Sequence, residues 1–337
     1  MEHLARIRVL RLVAVSLWAW SSLATAAQDK PVKTGLTQQD WAYRLADGVT
    51  TREVTYYSDG VACYAKLFLP KNFSSSGKLP GIVLGQGWAG THYSIEKYGA
   101  RFAERGLVAM VIDYRGWGGS DGFATVTDRL KNDDGERFTR IKANVVVKRT
   151  RLLPLRQVED YRNAISYLQG EAGVDPARIG IWGSSYAGGH VFTVAGQDAR
   201  AKVIVAQIPG GSNAEPAPFK LEGKLLEDAI KRARTGQGEE FETGFSTRRM
   251  VDVETNQAVR EYTPFYHARY LGERPILMIV AENEELGGNV ASRAAFEQIQ
   301  GPKEWRVVPG TTHFQMYIDE AFEISSSAAA DWFLQHL

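Results

Sequence analysis

The chain has 337 residues, with 40 Lys and Arg against 39 Asp and Glu, one Cys and 44% apolar residues. That is enough to bury a large core in one or two domains. The near-zero charge argues against a nucleic-acid binder, which needs a basic stripe. With 23% charged residues and eight Trp, wholesale disorder is excluded. A single Cys and six scattered His exclude a zinc cluster and a disulfide framework.

At the start, Arg6, Arg8 and Arg11 precede the apolar run Leu12–Trp20, and small residues end at Ala24-Thr25-Ala26. Positive, apolar, then A-x-A is the layout of a secretory signal peptide over residues 1–26, leaving 27–337 as the mature chain. The nine-residue run is far shorter than the about 20 residues a bilayer span needs. The expectation is a periplasmic or secreted protein with no stable membrane anchor after cleavage.

Thr51–Ser58 and Val61–Leu69 read as strands around the hairpin dipeptide Asp59-Gly60. Cys63 lies in the second and is expected as a buried core thiol. Gly81–Leu84, Leu107–Ile112, Ile179–Trp182, Val203–Ala206, Pro275–Val280 and Trp305–Val308 are apolar throughout. Helical spacing separates them at Ser94–Arg105, which stops at Gly106, and at Val158, Tyr161, Ile165 and Leu168 before Gly170. Apolar strands alternating with helices predict a mostly parallel sheet covered on both faces, an α/β fold with antiparallel strands at one edge. The polar stretch Phe123–Leu155 predicts a long excursion. Gly211–Arg274 predicts a mostly helical cap insertion over the carboxyl edge of the sheet.

The segment Ile179-Gly-Ile-Trp-Gly183-Ser184-Ser185-Tyr186-Ala187 runs from a buried strand into a helix. Gly183-x-Ser185-x-Ala187 is the nucleophile-elbow pattern, with Ala in the last small position. Residues two either side of Ser185 must lack bulk for the turn to close. Ser184, flanked by Trp182 and Tyr186, is the poorer nucleophile. In this architecture the acid and then the His follow the Ser in the chain. His313, on the loop after Trp305–Val308, is the base candidate, whereas His190 on the nucleophile's own helix reads as structural. The acid is expected after Pro275–Val280, in Ala281-Glu282-Asn283-Glu284-Glu285-Leu286. Glu284 stands where Gly-x-x-Asp usually places its carboxylate, with Glu285 and then Glu282 as the alternatives. The N–H groups of Tyr186 and Trp88 are the expected oxyanion donors. His92, Tyr93, Trp88 and Trp117 are candidate pocket residues.

These residues resemble the α/β-hydrolase superfamily. Asp113-Tyr-Arg-Gly116-Trp-Gly118-Gly-Ser120 is similar to its D-x-R-G-x-G-x-S turn. Leu155–Ile165, Val174–Gly189, the Glu284 turn and Thr312-His313-Phe…Tyr317 resemble the dienelactone-hydrolase-like and polyketide-transferase branch. That branch has kinship to Xaa-Pro dipeptidyl-peptidase-like acyl hydrolases. Dienelactone hydrolases carry Cys where this chain has Ser185, and the usual His-Gly of the oxyanion loop is Gln86-Gly87 here. The resemblance implies a serine hydrolase acting on a small acyl substrate, ester or thioester, without metal or organic cofactor. Acyl transfer and dipeptide release are the alternative activities. A non-enzymatic binder is disfavoured by the intact Ser, Glu and His.

Overall fold

The computed structural model describes residues 36–127, 141–149, 151–211, 220–236, 241–243, 246–251 and 253–337. The expected signal peptide, residues 1–26, lies outside the described residues.

Asp59-Gly60 makes the first turn. Both residues have positive φ, 49° and 76°, as a tight hairpin requires. Strand β1 (Thr50–Ser58) therefore folds back on β2 (Val61–Leu69), in register from Ser58↔Val61 to Thr50↔Leu69. The chain continues through β3 (Leu79–Gly85), α1 (Glu96–Glu104), β4 (Val108–Ile112), the hairpin β5 (Phe123–Val126) and β6 (Val145–Lys148), and α2 (Pro154–Gln169). Then come β7 (Val174–Ser184), α3 (Tyr186–Gln197), β8 (Val203–Gln207), α4 (Gly223–Thr235), β9 (Phe241–Thr243), β10 (Ser246–Val251) and α5 (Val253–Glu261). Strand β11 (Ile276–Ala281), α6 (Gly288–Gln298), β12 (Lys303–Val308) and α7 (Asp319–His336) complete it.

Eight strands form one sheet in the order β1-β2-β4-β3-β7-β8-β11-β12. Every neighbouring pair from β4 to β12 is parallel, and β1–β2 and β2–β4 are antiparallel. The expected α/β architecture with one antiparallel edge is therefore present. Strand alternation splits the core into two layers. Val83, Met110 and Ile181 face Tyr161, Leu168 and Phe192 of α2 and α3. Ile82, Val111 and Trp182 face Tyr98 and Phe102 of α1 and Phe333 of α7. Buried on both faces, these strands carry no polar side, which is why they read as continuous apolar runs. Cys63 lies fully buried on β2, and burial pushes its thiol up to about 12.

Most of the described residues between 211 and 274 lie in α4, α5 and the 3-10 helix Pro264–Tyr270, and one short antiparallel pair was not expected. Helices α4 and α5 are joined by the antiparallel pair β9–β10. Gly236, just past α4 with φ 73°, ends that helix. The 3-10 helix Pro264–Tyr270 packs on α3 and α6. The Phe123–Leu155 excursion holds the β5–β6 hairpin, and residues 128–140 and 150 of it lie outside the described set.

Candidate active site

Four strand ends build the site, because parallel strands deliver their following loops to one edge of the sheet. Strand β7 ends at Ser184, and α3 starts at Tyr186. Ser185 between them has φ 57° and ψ −122°. A non-glycine residue held there is strained, and such strain persists where surrounding bonds over-determine it. Here Ser185 N–H donates to the Gln207 carbonyl at 2.9 Å, and Gly210 N–H donates to the Ser185 carbonyl at 2.8 Å. The bend brings Gly183 so close to Ala187 that a Cβ on Gly183 would lie 2.2 Å from the Ala187 carbonyl oxygen. That close approach is the physical content of the small residues in the motif.

His313 follows β12. Its Nε2 lies 2.9 Å from Ser185 Oγ, and its Nδ1 lies 2.9 Å from each Glu284 carboxylate oxygen. Ser185, His313 and Glu284 are therefore brought together as one hydrogen-bonded row. With Nδ1 protonated and bonded to Glu284, Nε2 presents its lone pair to the serine hydroxyl. An imidazole so placed can take the hydroxyl proton as the oxygen attacks, and Glu284 stabilises the cation that results.

The three glutamates of the β11 turn have three different partners. Glu284 faces the imidazole. Glu285 Oε2 accepts the His313 backbone N–H at 2.7 Å. Glu282 Oε2 accepts the Gly310 N–H at 2.7 Å. The two alternative acids thus hold the backbone of the histidine loop, while Glu284 alone of the three reaches the ring.

The loop after β3 comes against the serine. A Cβ on Gly87 would sit 2.7 Å from Ser185 Cβ. Trp88 follows Gly87, and its ring meets that of Tyr186 edge-on at 5.2 Å between centroids. Tyr186 opens α3, so its N–H is among the first-turn donors with no partner within the helix. Trp88 thus follows a residue packed against Ser185, Tyr186 adjoins Ser185 in the chain, and the two rings touch.

Asp113 anchors this loop from below. Fully buried, it accepts the His92 N–H at 2.7 Å and the Gly119 N–H at 2.9 Å, and its Oδ2 lies 2.6 Å from His92 Nδ1. Gly118 must be glycine, with φ 52° and the Asp113 carboxylate filling the place of a Cβ. Sequence reasoning took His92 as a pocket residue. Its ring is buried, with Nδ1 on Asp113 and Nε2 3.5 Å from Glu96. Trp117 is likewise a core residue, its Nε1–H donating to the Arg151 carbonyl at 2.9 Å, whereas Tyr93 is exposed. Arg115 of the same turn is buried against Asp160, its Nε donating at 2.6 Å. His190 is structural, as expected: its ring nitrogens lie 2.9 Å from Tyr262 Oη and 2.9 Å from Gln157 Oε1. Burial pushes that imidazole down to about 3. Sequence reasoning missed Asp113, Gln207 and Tyr317. Asp113 had a signal in the D-x-R-G turn and Tyr317 in the Thr312-His313-Phe…Tyr317 motif, whereas Gln207 had none.

The model of the X-Pro dipeptidyl-peptidase (S15 family) matches residues 59–307. The chain is 26% identical to an uncharacterized 31.7 kDa protein of the traX-finO intergenic region of Escherichia coli, over 77% of this chain and 92% of that one. It is 25% identical to the acyltransferase drtE of Aspergillus calidoustus, over 74% and 84% of the two chains. It is 23% identical to the thiohydrolase aneE of Aspergillus aculeatus, over 81% and 90%. Its fold matches the α/β-hydrolase GrgF of Penicillium sp. sh18 with a TM-score of 0.67 at 17% identity, covering 85% of this chain and 99% of that one.

Proposed function

Because the chain belongs to the X-Pro dipeptidyl-peptidase (S15) family and has the α/β-hydrolase fold, we propose that it is an exported serine hydrolase. It cleaves a carboxylic ester or thioester through an acyl-enzyme on Ser185. The observation that carries this reading is the row Ser185–His313–Glu284, with 2.9 Å at each contact.

Ser185 Oγ attacks the acyl carbonyl carbon while its proton passes to His313 Nε2. Glu284 accepts the Nδ1–H and offsets the imidazolium charge. The tetrahedral oxyanion is held by the N–H groups of Tyr186 and Trp88, each such donor contributing about 3 kcal/mol in the transition state. Collapse breaks the bond to the alkoxide or thiolate, which leaves with the proton from His313. A water then enters, gives its proton to His313 and attacks the acyl-enzyme. The second collapse returns that proton to Ser185 Oγ and frees the acid.

The likeness to the acyltransferase drtE supports a second reading. In it the same acyl-enzyme is opened by an alcohol or amine in place of water. Residues 1–26 are the export signal in both readings, and the mature chain is periplasmic or secreted.

The test is p-nitrophenyl ester hydrolysis across acyl lengths C2 to C12, wild type beside Ser185→Ala, with a fluorophosphonate probe in parallel. Turnover lost in the variant is expected. Labelling at Ser185 with no ester turnover, but turnover on adding an acceptor alcohol, would favour the transferase. No labelling at all would overturn the proposal.

A further inference from the structure

Ser184 is a second serine that the reaction does not use. It is fully buried on the last residue of β7. Its Oγ lies 2.8 Å from Tyr317 Oη and accepts from Gln207 Nε2 at 3.3 Å. Both partners bear on the reacting pair. Tyr317 closes the 3-10 turn Phe314–Tyr317 that begins directly after His313. Gln207, also fully buried, is the residue whose carbonyl receives the Ser185 N–H.

The same turn is held a second time. Gln207 Nε2 donates to Tyr98 Oη at 2.8 Å, and the Tyr98 hydroxyl donates on to the Met316 carbonyl at 3.3 Å. Lys97 Nζ donates to the Tyr317 carbonyl. The loop bearing the histidine and the turn bearing the nucleophile are thus tied together beneath the site by buried polar bonds. Ser185 and His313 are 128 residues apart in the chain. Their 2.9 Å contact needs some fixed link between the two loops, because their own single bond cannot set its own length.

We propose that Ser184 and Tyr317 are positioning residues: their mutual hydrogen bond sets the height and angle of His313 over Ser185. The inference rests on reading Ser185 as nucleophile and His313 as its base. Breaking the bond leaves both reacting groups present: in Tyr317→Phe, Ser184 keeps Gln207 and the ring keeps its packing on Trp41 at 5.6 Å, whereas Ser184→Ala also gives up the Gln207 contact. What changes is the chance that His313 stands ready when Ser185 attacks. The affinity for an inhibitor or substrate is not touched.

The experiment measures phosphonylation of Ser185 by a fluorophosphonate, separating the maximal rate kinact from the half-saturating concentration KI, with thermal melting alongside. The proteins are wild type, Ser184→Ala, Tyr317→Phe and the double variant. Each single change is expected to lower kinact about 10-fold with KI unchanged. The double variant should be no slower than the slower single one, because both changes break the same bond. Wild-type kinact in Ser184→Ala would overturn the proposal, whatever happens to the melting temperature. So would losses that multiply in the double variant, since they mean two independent roles. Should Tyr317→Phe fail to fold, Ser184→Ala decides alone. An unlabelled wild type would instead refute the nucleophile assignment, and the positioning role falls with it.

Discussion

A methyl group added at Gly87 tests the site harder than removal of a reacting residue does. In Gly87→Ala the new Cβ starts 2.7 Å from Ser185 Cβ and 3.1 Å from Ser185 Oγ. Ordinary contact begins near 3.4 Å, so the two segments must separate by about 0.7 Å. Ser185 cannot yield easily, being held at φ 57° with its N–H and carbonyl both bonded. The Gln86–Trp88 segment therefore moves, and with it the proposed Trp88 donor. Misplacement by about 1 Å costs about 100-fold in rate, and losing one oxyanion donor outright costs about 100- to 1000-fold. The expected loss in kinact is about 30- to 100-fold. Overpacking costs about 1–3 kcal/mol of stability, a few degrees in Tm, so the variant stays folded. Gly210→Ala is the control on the other side of the same serine. Its Cβ would meet Ser185 at 3.5 Å, an ordinary contact, and labelling should be near wild type. Equal labelling rates for Gly87→Ala and wild type would refute the reasoning, because a methyl cannot occupy that place without displacing one side or the other.

The three glutamates should separate cleanly in kcat/KM. Glu284→Gln loses the charge beside Nδ1 and is expected to fall about 1000- to 10000-fold. Glu285→Gln keeps a carbonyl for the His313 N–H and should fall far less, as should Glu282→Gln; a full-strength Glu284→Gln would reassign the acid. His190 predicts an acid limb in stability. Its folded imidazole refuses the proton down to about pH 3, whereas the unfolded one binds it near 6.5. Stability is therefore lost as pH falls below 6.5, at about 1.4 kcal/mol per pH unit until the folded value is reached. Melting curves from pH 7 to 4 should show a shallower limb in His190→Gln, and parallel limbs would refute the assignment. Cys63, with its thiol pushed up to about 12, should resist iodoacetamide at pH 8 in the native protein and react once denatured; native alkylation would show the thiol to be reachable.

Sequence patterning reached the strands and the row of three residues for a common reason. Strands such as Val108–Ile112 are apolar on both faces, and Ser185 sits where the backbone demands small neighbours, so local composition records both. Glu284 was reached by its spacing after a strand, but three adjacent glutamates look alike until their partners are known. His92 and Trp117 are buried in the structure, as residues next to a functional loop often are. The linking role of Tyr317, Gln207 and Ser184 was illegible for a different reason. Their meaning lies in contacts across 23 and 133 residues, and no local pattern encodes a bond between distant loops. The hairpin between α4 and α5 escaped because its strands are short and carry no alternation.

The order of strands in the sheet has a kinetic consequence. Ser185 is delivered by β7, Glu284 by β11 and His313 by β12, and β12 is the outermost parallel strand. Parallel pairings close long loops before they are rewarded, so they form slowly. A refolding chain can shape the elbow at β7 and still lack its base until the far edge of the sheet has docked. Recovery of phosphonate reactivity is thus a clock for the pairing of β12 with β11, distinct from recovery of helix content. A chain stalled with β12 undocked would be chemically silent at Ser185 however much secondary structure it had regained.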